Sequence, residues 1–198
     1  MKIKSTKAWH KMPCAHAQFQ DVSPDGSPGE CASWHGYDRS VVATFAGDID
    51  EYGWVVPFGE LRKVRDFIEY YLDHTAVIPA NDPRLSDIVE FNQKMVESGH
   101  PGIFKLRVMP YGVSMEMTSL FLWEHINAYI YAVTEGRCYV EKIECIEHDS
   151  NSAWIEVSED QAILQATEST RFYSEDMDPA VLLPKQSTWG YVDPRSVI

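Results

Sequence analysis

The chain has 198 residues, with 30 acidic against 17 basic side chains and a formal charge of −13. That balance repels phosphate backbones and argues against nucleic-acid binding. No run of about 18 apolar residues is present, so no membrane-spanning helix is expected. The length suits one domain with an extension, and an apolar share of 44% is enough for an ordinary globular core.

The first residues, Met1-Lys2-Ile3-Lys4, lead into no apolar run, so no signal peptide is expected. Four cysteines without a Cys-x-x-Cys pair then read as reduced thiols in a cytoplasmic compartment, not as a cysteine-rich zinc site. Residues 14–20 are expected to form a short strand, and residues 21–30, rich in Asp, Ser, Pro and Gly, a loop. Residues 37–46 alternate, with Tyr37, Arg39, Val41, Ala43 and Phe45 on one face, which predicts a strand. An acidic turn covers 47–53, and Trp54-Val55-Val56 resumes an extended chain.

Pro57 suits the first turn of a helix. Phe58, Leu61, Val64, Ile68, Tyr71 and Leu72 carry its apolar stripe to about Leu72. Residues 75–84, with two prolines and Asn81-Asp82, read as a loop. A second helix is expected over 86–97 with Ser86 as its cap, stopped by Gly99-His100-Pro101-Gly102, and a strand over 103–109. Ser114 is placed to cap a long helix whose stripe is Leu122, Ile126, Tyr129, Ile130 and Val133, and Gly136 to end it. Strands over 139–147 and 153–157 flank a turn. Strands clustered in hairpins with helices after them predict an α+β domain over 1–157, an antiparallel sheet with helices on one face. Residues 158–198 form an acidic, proline-containing extension, expected to wrap a neighbour or to be partly disordered.

Chemistry-bearing residues gather in two places. The run Cys31-Ala-Ser-Trp-His35-Gly36-Tyr37 offers a thiol and an imidazole a short turn apart, and Leu72-Asp73-His74 offers a carboxylate–imidazole doublet. A thiol that acts as nucleophile or base needs a neighbour that favours the thiolate, and an imidazole does so. Each residue also has a plainer use. Cys31 and His16 could be core groups, Asp73-His74 could cap a helix, Glu147 could be a solvated strand end, and Tyr37 could be packing.

Taken together, these pieces resemble the 6-pyruvoyltetrahydropterin synthase and 6-carboxytetrahydropterin synthase family, the tunnelling fold. Cys14-Ala15-His16 resembles the family's Ala-Ala-His, and Cys31-x-x-x-His35-Gly36 its Cys…His-Gly-His. Gly53-Trp54-Val55-Val56-Pro57-Phe58 resembles Gly-Met-Val-x-Asp-Phe, with Pro57 in place of the Asp. Leu72-Asp73-His74 matches Leu-Asp-His, with Asn81-Asp82-Pro83 in the loop behind it. Ser114-Met115-Glu116 resembles Thr-x-Glu, and Glu144-Cys145-Ile146-Glu147 the late strand that ends in a pterin-anchoring Glu. The likeness runs over about residues 12–157. The short gap from Cys31 to His35 is similar to the 6-carboxytetrahydropterin branch, which feeds queuosine and other 7-deazaguanines.

The resemblance implies a four-stranded antiparallel sheet with two long helices on one face and a mid-chain helical insert. It implies a lyase acting on 7,8-dihydroneopterin triphosphate. His16, His35 and Tyr37 would hold Zn2+, with Tyr37 standing where the family has its third histidine; a phenolate can bind a metal, as in some haem proteins. Cys31 would be the general base, His74 the proton shuttle oriented by Asp73, Glu147 the pterin anchor and Glu116 a support for substrate. Relatives assemble as rings, often hexamers, with the pocket shared between neighbours, so a homo-oligomer is implied. His10, His100, His125 and His148 match none of the motifs and read as structural. Two other functions stay open: a pterin-binding protein with impaired catalysis, and a pyruvoyl-type or aldolase-like activity on the same substrate.

Overall fold

The structure, a computed structural model, describes residues 2–169. Six strands and four α-helices follow in chain order: β1 (Ile3–His16), β2 (His35–Gly47), α1 (Leu61–Leu72), β3 (Thr75–Pro79), α2 (Leu85–Glu97), β4 (Leu106–Met109), α3 (Met115–Val133), β5 (Cys138–His148), β6 (Asn151–Glu156) and α4 (Glu159–Ser169). The extension expected from 158 onward thus begins with a helix, and its remainder lies outside the described residues.

The six strands form one sheet in the order β4-β3-β1-β2-β5-β6. β1, β2, β5 and β6 pair antiparallel and are the four-stranded sheet that the resemblance implied. β3 and β4 add to the β1 edge in parallel, which corrects the strand count to six. β3 falls where a loop was expected. Its five residues, Thr-Ala-Val-Ile-Pro, are all buried; a continuous apolar run covered on both sides is the mark of a parallel strand, and it shows no alternation to read. Pro79 ends that strand, where its missing N–H does least harm.

β1 is also far longer than expected at its start and stops at His16. Residues 3–8 are mostly exposed, so no apolar alternation marks them. Pairing with β2 over Ile3↔Gly47 to His16↔His35 makes them a strand, interrupted by an irregularity between Trp9 and Met12 where Lys11 takes φ 65.

α1 and α3 cover one face of the sheet, and their buried residues join Val41, Ala43, Phe45, Ile143 and Cys145 in a single core. Ser114 caps α3 as expected, its hydroxyl accepting the Met117 N–H at 3.3 Å. Ser86 does not cap α2; the helix starts at Leu85 behind Arg84, with no side-chain cap. α2 buries none of its residues, but Asn92 ties it to the incoming β4 chain by paired bonds with the Phe104 backbone, 2.9 and 3.1 Å. α4 lies on α3, where buried Asn127 donates to the Ala162 carbonyl at 2.8 Å and accepts the Val140 N–H at 2.9 Å.

His125 is a core residue, as expected. Its ring lies between Phe67 and Phe121 with centroids 5.4 and 4.4 Å away, and Nδ1–H donates to the Phe121 carbonyl at 2.8 Å. Burial pulls its pKa down to about 4, against the opposing pull of that hydrogen bond. An unfolded His125 takes a proton below about pH 6.5 and the folded one does not, so stability contributed above that pH is lost as pH falls towards 4. Urea unfolding at pH 6.5 and pH 5 should show His125 costing about 1.5 kcal/mol of stability over that interval. His125→Leu should flatten the slope by that amount; an unchanged slope would refute the assignment.

Candidate active site

The site is built where β1 ends and β2 begins. The register pairs His16 with His35 directly, and their rings lie 4.2 Å apart between centroids. β5 runs antiparallel on the other side of β2 and delivers Glu147 near its end, with Oε1 3.5 Å from His16 Nε2. One ligand atom from each of His16, His35 and Glu147 lies within 4.8 Å of the others. A cavity of about 480 Å³ opens on this group, and Cys31, Tyr37 and Glu116 line it as well.

The electrostatics suit a metal. His16 is 5% exposed. Burial, then the charges of Arg39 and His35, pull its pKa down to about 3, so the ring stays neutral with a lone pair to offer. His35 donates Nδ1–H to the Ser33 carbonyl at 2.7 Å, which fixes its tautomer and leaves Nε2 as the acceptor. Two neutral imidazoles and a carboxylate form a usual donor set for a catalytic zinc, which keeps a fourth position open. The residues therefore fit the ion.

The third ligand that the resemblance implied, Tyr37, also lines the cavity. Tyr37 shares the strand face with His35 and meets it edge-on at 5.9 Å between centroids, but its ring also packs at 5.1 Å against His148. Glu147, expected to anchor the pterin, lies within reach of both imidazoles as well as lining the cavity. His148, read as structural, has its Nε2 4.0 Å from Glu147 Oε2.

Cys31 is exposed and rides on a clamped loop. Its N–H donates to Asp21 Oδ2 at 2.9 Å and its carbonyl accepts the Gln18 N–H at 2.7 Å. Gly29 lies so close to that Asp21 carboxylate that a Cβ would meet it at 2.0 Å, so only glycine lets the clamp close. Behind the loop, Arg84 donates to the Ala32 carbonyl at 3.1 Å while pairing with Asp82 at 2.8 Å. The Asn81-Asp82-Pro83 segment thereby braces the loop that bears Cys31.

Asp73 and His74 do not join the cavity wall. They follow α1, where His74 adopts φ 54 and its N–H donates to the Pro13 carbonyl at 2.8 Å. Asp73 Oδ1 and His74 Nδ1 are 2.8 Å apart, so the doublet itself is formed, but the His74 side chain is 75% exposed. Glu116, in the first turn of α3, does line the cavity, where the helix dipole favours its charge. Sequence reasoning gave Arg39 no role; its one signal was a charged residue on the apolar face of β2.

A six-stranded sheet backed by two long helices, with a His-His-Glu group at the junction of its first two strands, defines an α+β domain with a candidate metal centre. The 6-pyruvoyl tetrahydropterin synthase family model matches residues 5–158, and the chain belongs to that family, one of lyase type. Comparison with curated proteins finds no match. Among solved structures, a protein of uncharacterised function from Wolinella succinogenes is similar at 18% identity and TM-score 0.65, over 80% of this chain and 99% of its own. The 6-pyruvoyl tetrahydropterin synthase of Caenorhabditis elegans is similar at 14% identity and TM-score 0.52, over 80% and 97%. That of Plasmodium vivax is similar at 18% and 0.51, over 79% and 99%. At these identities the structures share the fold. No helix among the described residues is long and apolar enough to cross a membrane.

Proposed function

We propose that the protein is a metal-dependent lyase of 6-carboxytetrahydropterin synthase type, acting on 7,8-dihydroneopterin triphosphate in cytoplasmic 7-deazaguanine biosynthesis. The observation that carries this reading is the His16–His35–Glu147 group opening on the same cavity as Cys31. In this reading the three donors hold Zn2+, and Glu147 takes the place that the resemblance gave to Tyr37. Bound zinc would supply a Lewis acid for the hydroxyl and carbonyl oxygens of the substrate's side chain. Cys31, held over the cavity by Asp21, removes the neighbouring carbon-bound proton as thiolate. Glu116 accepts hydrogen bonds from the amino group and ring N–H of the pterin, a bidentate match for a carboxylate.

The Asp73–His74 doublet does not line its own chain's cavity and its imidazole is largely exposed, which supports a site completed by a neighbouring subunit in a homo-oligomer, a hexamer by family resemblance. His74 of one subunit then returns the proton for the next, with Asp73 fixing its tautomer through Nδ1.

Incubation with dihydroneopterin triphosphate and zinc, followed by product analysis, should give 6-carboxytetrahydropterin and acetaldehyde. A pyruvoyl product, another pterin or unchanged substrate would each replace the carboxy-branch assignment. A second reading, a pterin binder with impaired catalysis, is favoured by Tyr37 at the family's third-histidine position. It predicts bound substrate that returns unchanged.

A further inference from the structure

The run from Cys31 to His35 bears the thiol and one imidazole of the cavity, and two contacts from residues 80–105 fasten it. The first comes from Arg84. Its guanidinium forks onto Asp82, with Nε 3.0 Å from Oδ1 and Nη2 2.8 Å from Oδ2, and Nη1 is left to donate to the Ala32 carbonyl at 3.1 Å. The Asp82 side chain is fully buried, and the Arg84 N–H donates to its Oδ1 as well, at 2.8 Å, so the fork is aimed from a fixed base. The second comes from Phe104, on which the Trp34 ring stacks with centroids 5.6 Å apart and planes 16° from parallel. Phe104 is held in turn, through both of its backbone groups, by Asn92 of α2.

These contacts give α2 and its flanks a use that packing does not. The helix buries none of its residues, so it adds little to the core. Cys31 is exposed, so the backbone on either side sets where its sulfur stands. Three neighbouring backbone groups there are tied down: the Cys31 N–H to Asp21, the Cys31 carbonyl to Gln18 and the Ala32 carbonyl to Arg84. Asp21 and Gln18 belong to the same loop and tie it to itself. Arg84 reaches it across 52 residues of chain and ties it to the start of α2.

We propose that Arg84 is a positioning residue, whose fork on Asp82 fixes the Ala32 carbonyl and thereby sets the Cys31 thiol against the substrate. This deepens the lyase reading and rests on it, since there Cys31 is the base. A misplacement of about 1 Å in a reacting group can cost about 10²-fold in rate. Lysine pairs with a carboxylate as a point charge and lacks the fork that serves a second acceptor. Arg84→Lys therefore removes the Ala32 contact while leaving the buried carboxylate of Asp82 its counter-ion.

With dihydroneopterin triphosphate and zinc, Arg84→Lys should lower kcat at least about tenfold and leave KM within about twofold, because the residues that line the cavity are untouched. A second readout needs no turnover. The other three cysteines are buried, so iodoacetamide labels Cys31 first, and mass analysis reports its rate. Without metal, saturating pterin should slow that labelling about tenfold in the wild type and under about threefold in Arg84→Lys, since a lost charge-assisted hydrogen bond frees the loop by about that factor. Asp82→Asn with Arg84→Gln removes both charges together and gives the same comparison if the Lys variant does not fold. Unchanged kcat with unchanged protection overturns the positioning role and leaves the lyase reading standing. A rise in KM alone overturns it too, since Arg84 would then serve binding. Pterin that binds the wild type without slowing the labelling removes Cys31 from the substrate's side, and the role of Arg84 falls with it.

Discussion

A one-to-one mixture of Cys31→Ala and His74→Ala subunits, assembled together, should recover about a quarter of wild-type turnover, since half of each group survives independently. Each variant alone should lose about 10²–10⁴-fold, the usual contribution of a positioned acid or base. The expectation comes from geometry. Cys31 lines the cavity, whereas the Asp73–His74 doublet stands beyond α1 with its imidazole largely in solvent. If both sets belong to one reaction, they meet across a subunit boundary, and a hybrid boundary can hold one intact copy of each. The measurement is turnover of the mixture beside size-exclusion chromatography and mass analysis of the mixed oligomer. Mixed oligomers without recovered turnover would show that the two sets do not share a site. A fully active monomer would exclude the shared pocket altogether.

Zinc affinity should fall about a hundredfold or more in Glu147→Gln and stay within about twofold of wild type in Tyr37→Phe, because losing a ligand costs more than the 10–100-fold typical of outer partners. Glu147 Oε1 is already 3.5 Å from His16 Nε2, and removing the carboxylate's charge leaves two neutral imidazoles to hold a dication. The Tyr37 ring, 39% exposed, is engaged with His35 and His148, so loss of its hydroxyl should leave those ring contacts in place. Competition against a chromogenic chelator measures both variants without reference to activity. The reverse order of effects would restore Tyr37 to the shell and return Glu147 to the substrate. Tyr37→His adds a third imidazole and should tighten zinc; no change there would mean that position 37 does not face the ion.

Much of the architecture was legible in one dimension because its periods are local. The stripe from Leu61 to Leu72 and the alternation from Arg39 to Phe45 were read from the sequence as α1 and β2, and the hydroxyl of Ser114 marks the start of α3. The start of β1 and all of β3 were not legible, for opposite reasons. One is too exposed to alternate, and the other is too buried to alternate. Their hydrogen-bond partners lie tens of residues away, and only the assembled sheet names them.

The site divides along the same line. Residue type and spacing by themselves named the candidate side chains: the early imidazoles, the thiol a short turn before His35, the Asp73–His74 pair and the late acid of β5. Tertiary structure alone decided which of them meet. The register of β1 on β2 set His16 against His35, and the β2–β5 pairing brought Glu147 to them. The turn after α1 carried Asp73 and His74 elsewhere, and the core closed over Arg39 without giving it a partner. Spacing along a chain constrains only neighbours on one strand or helix. Convergence between strands is fixed by cross-strand register and by the helix face that covers it, and both are properties of the whole fold.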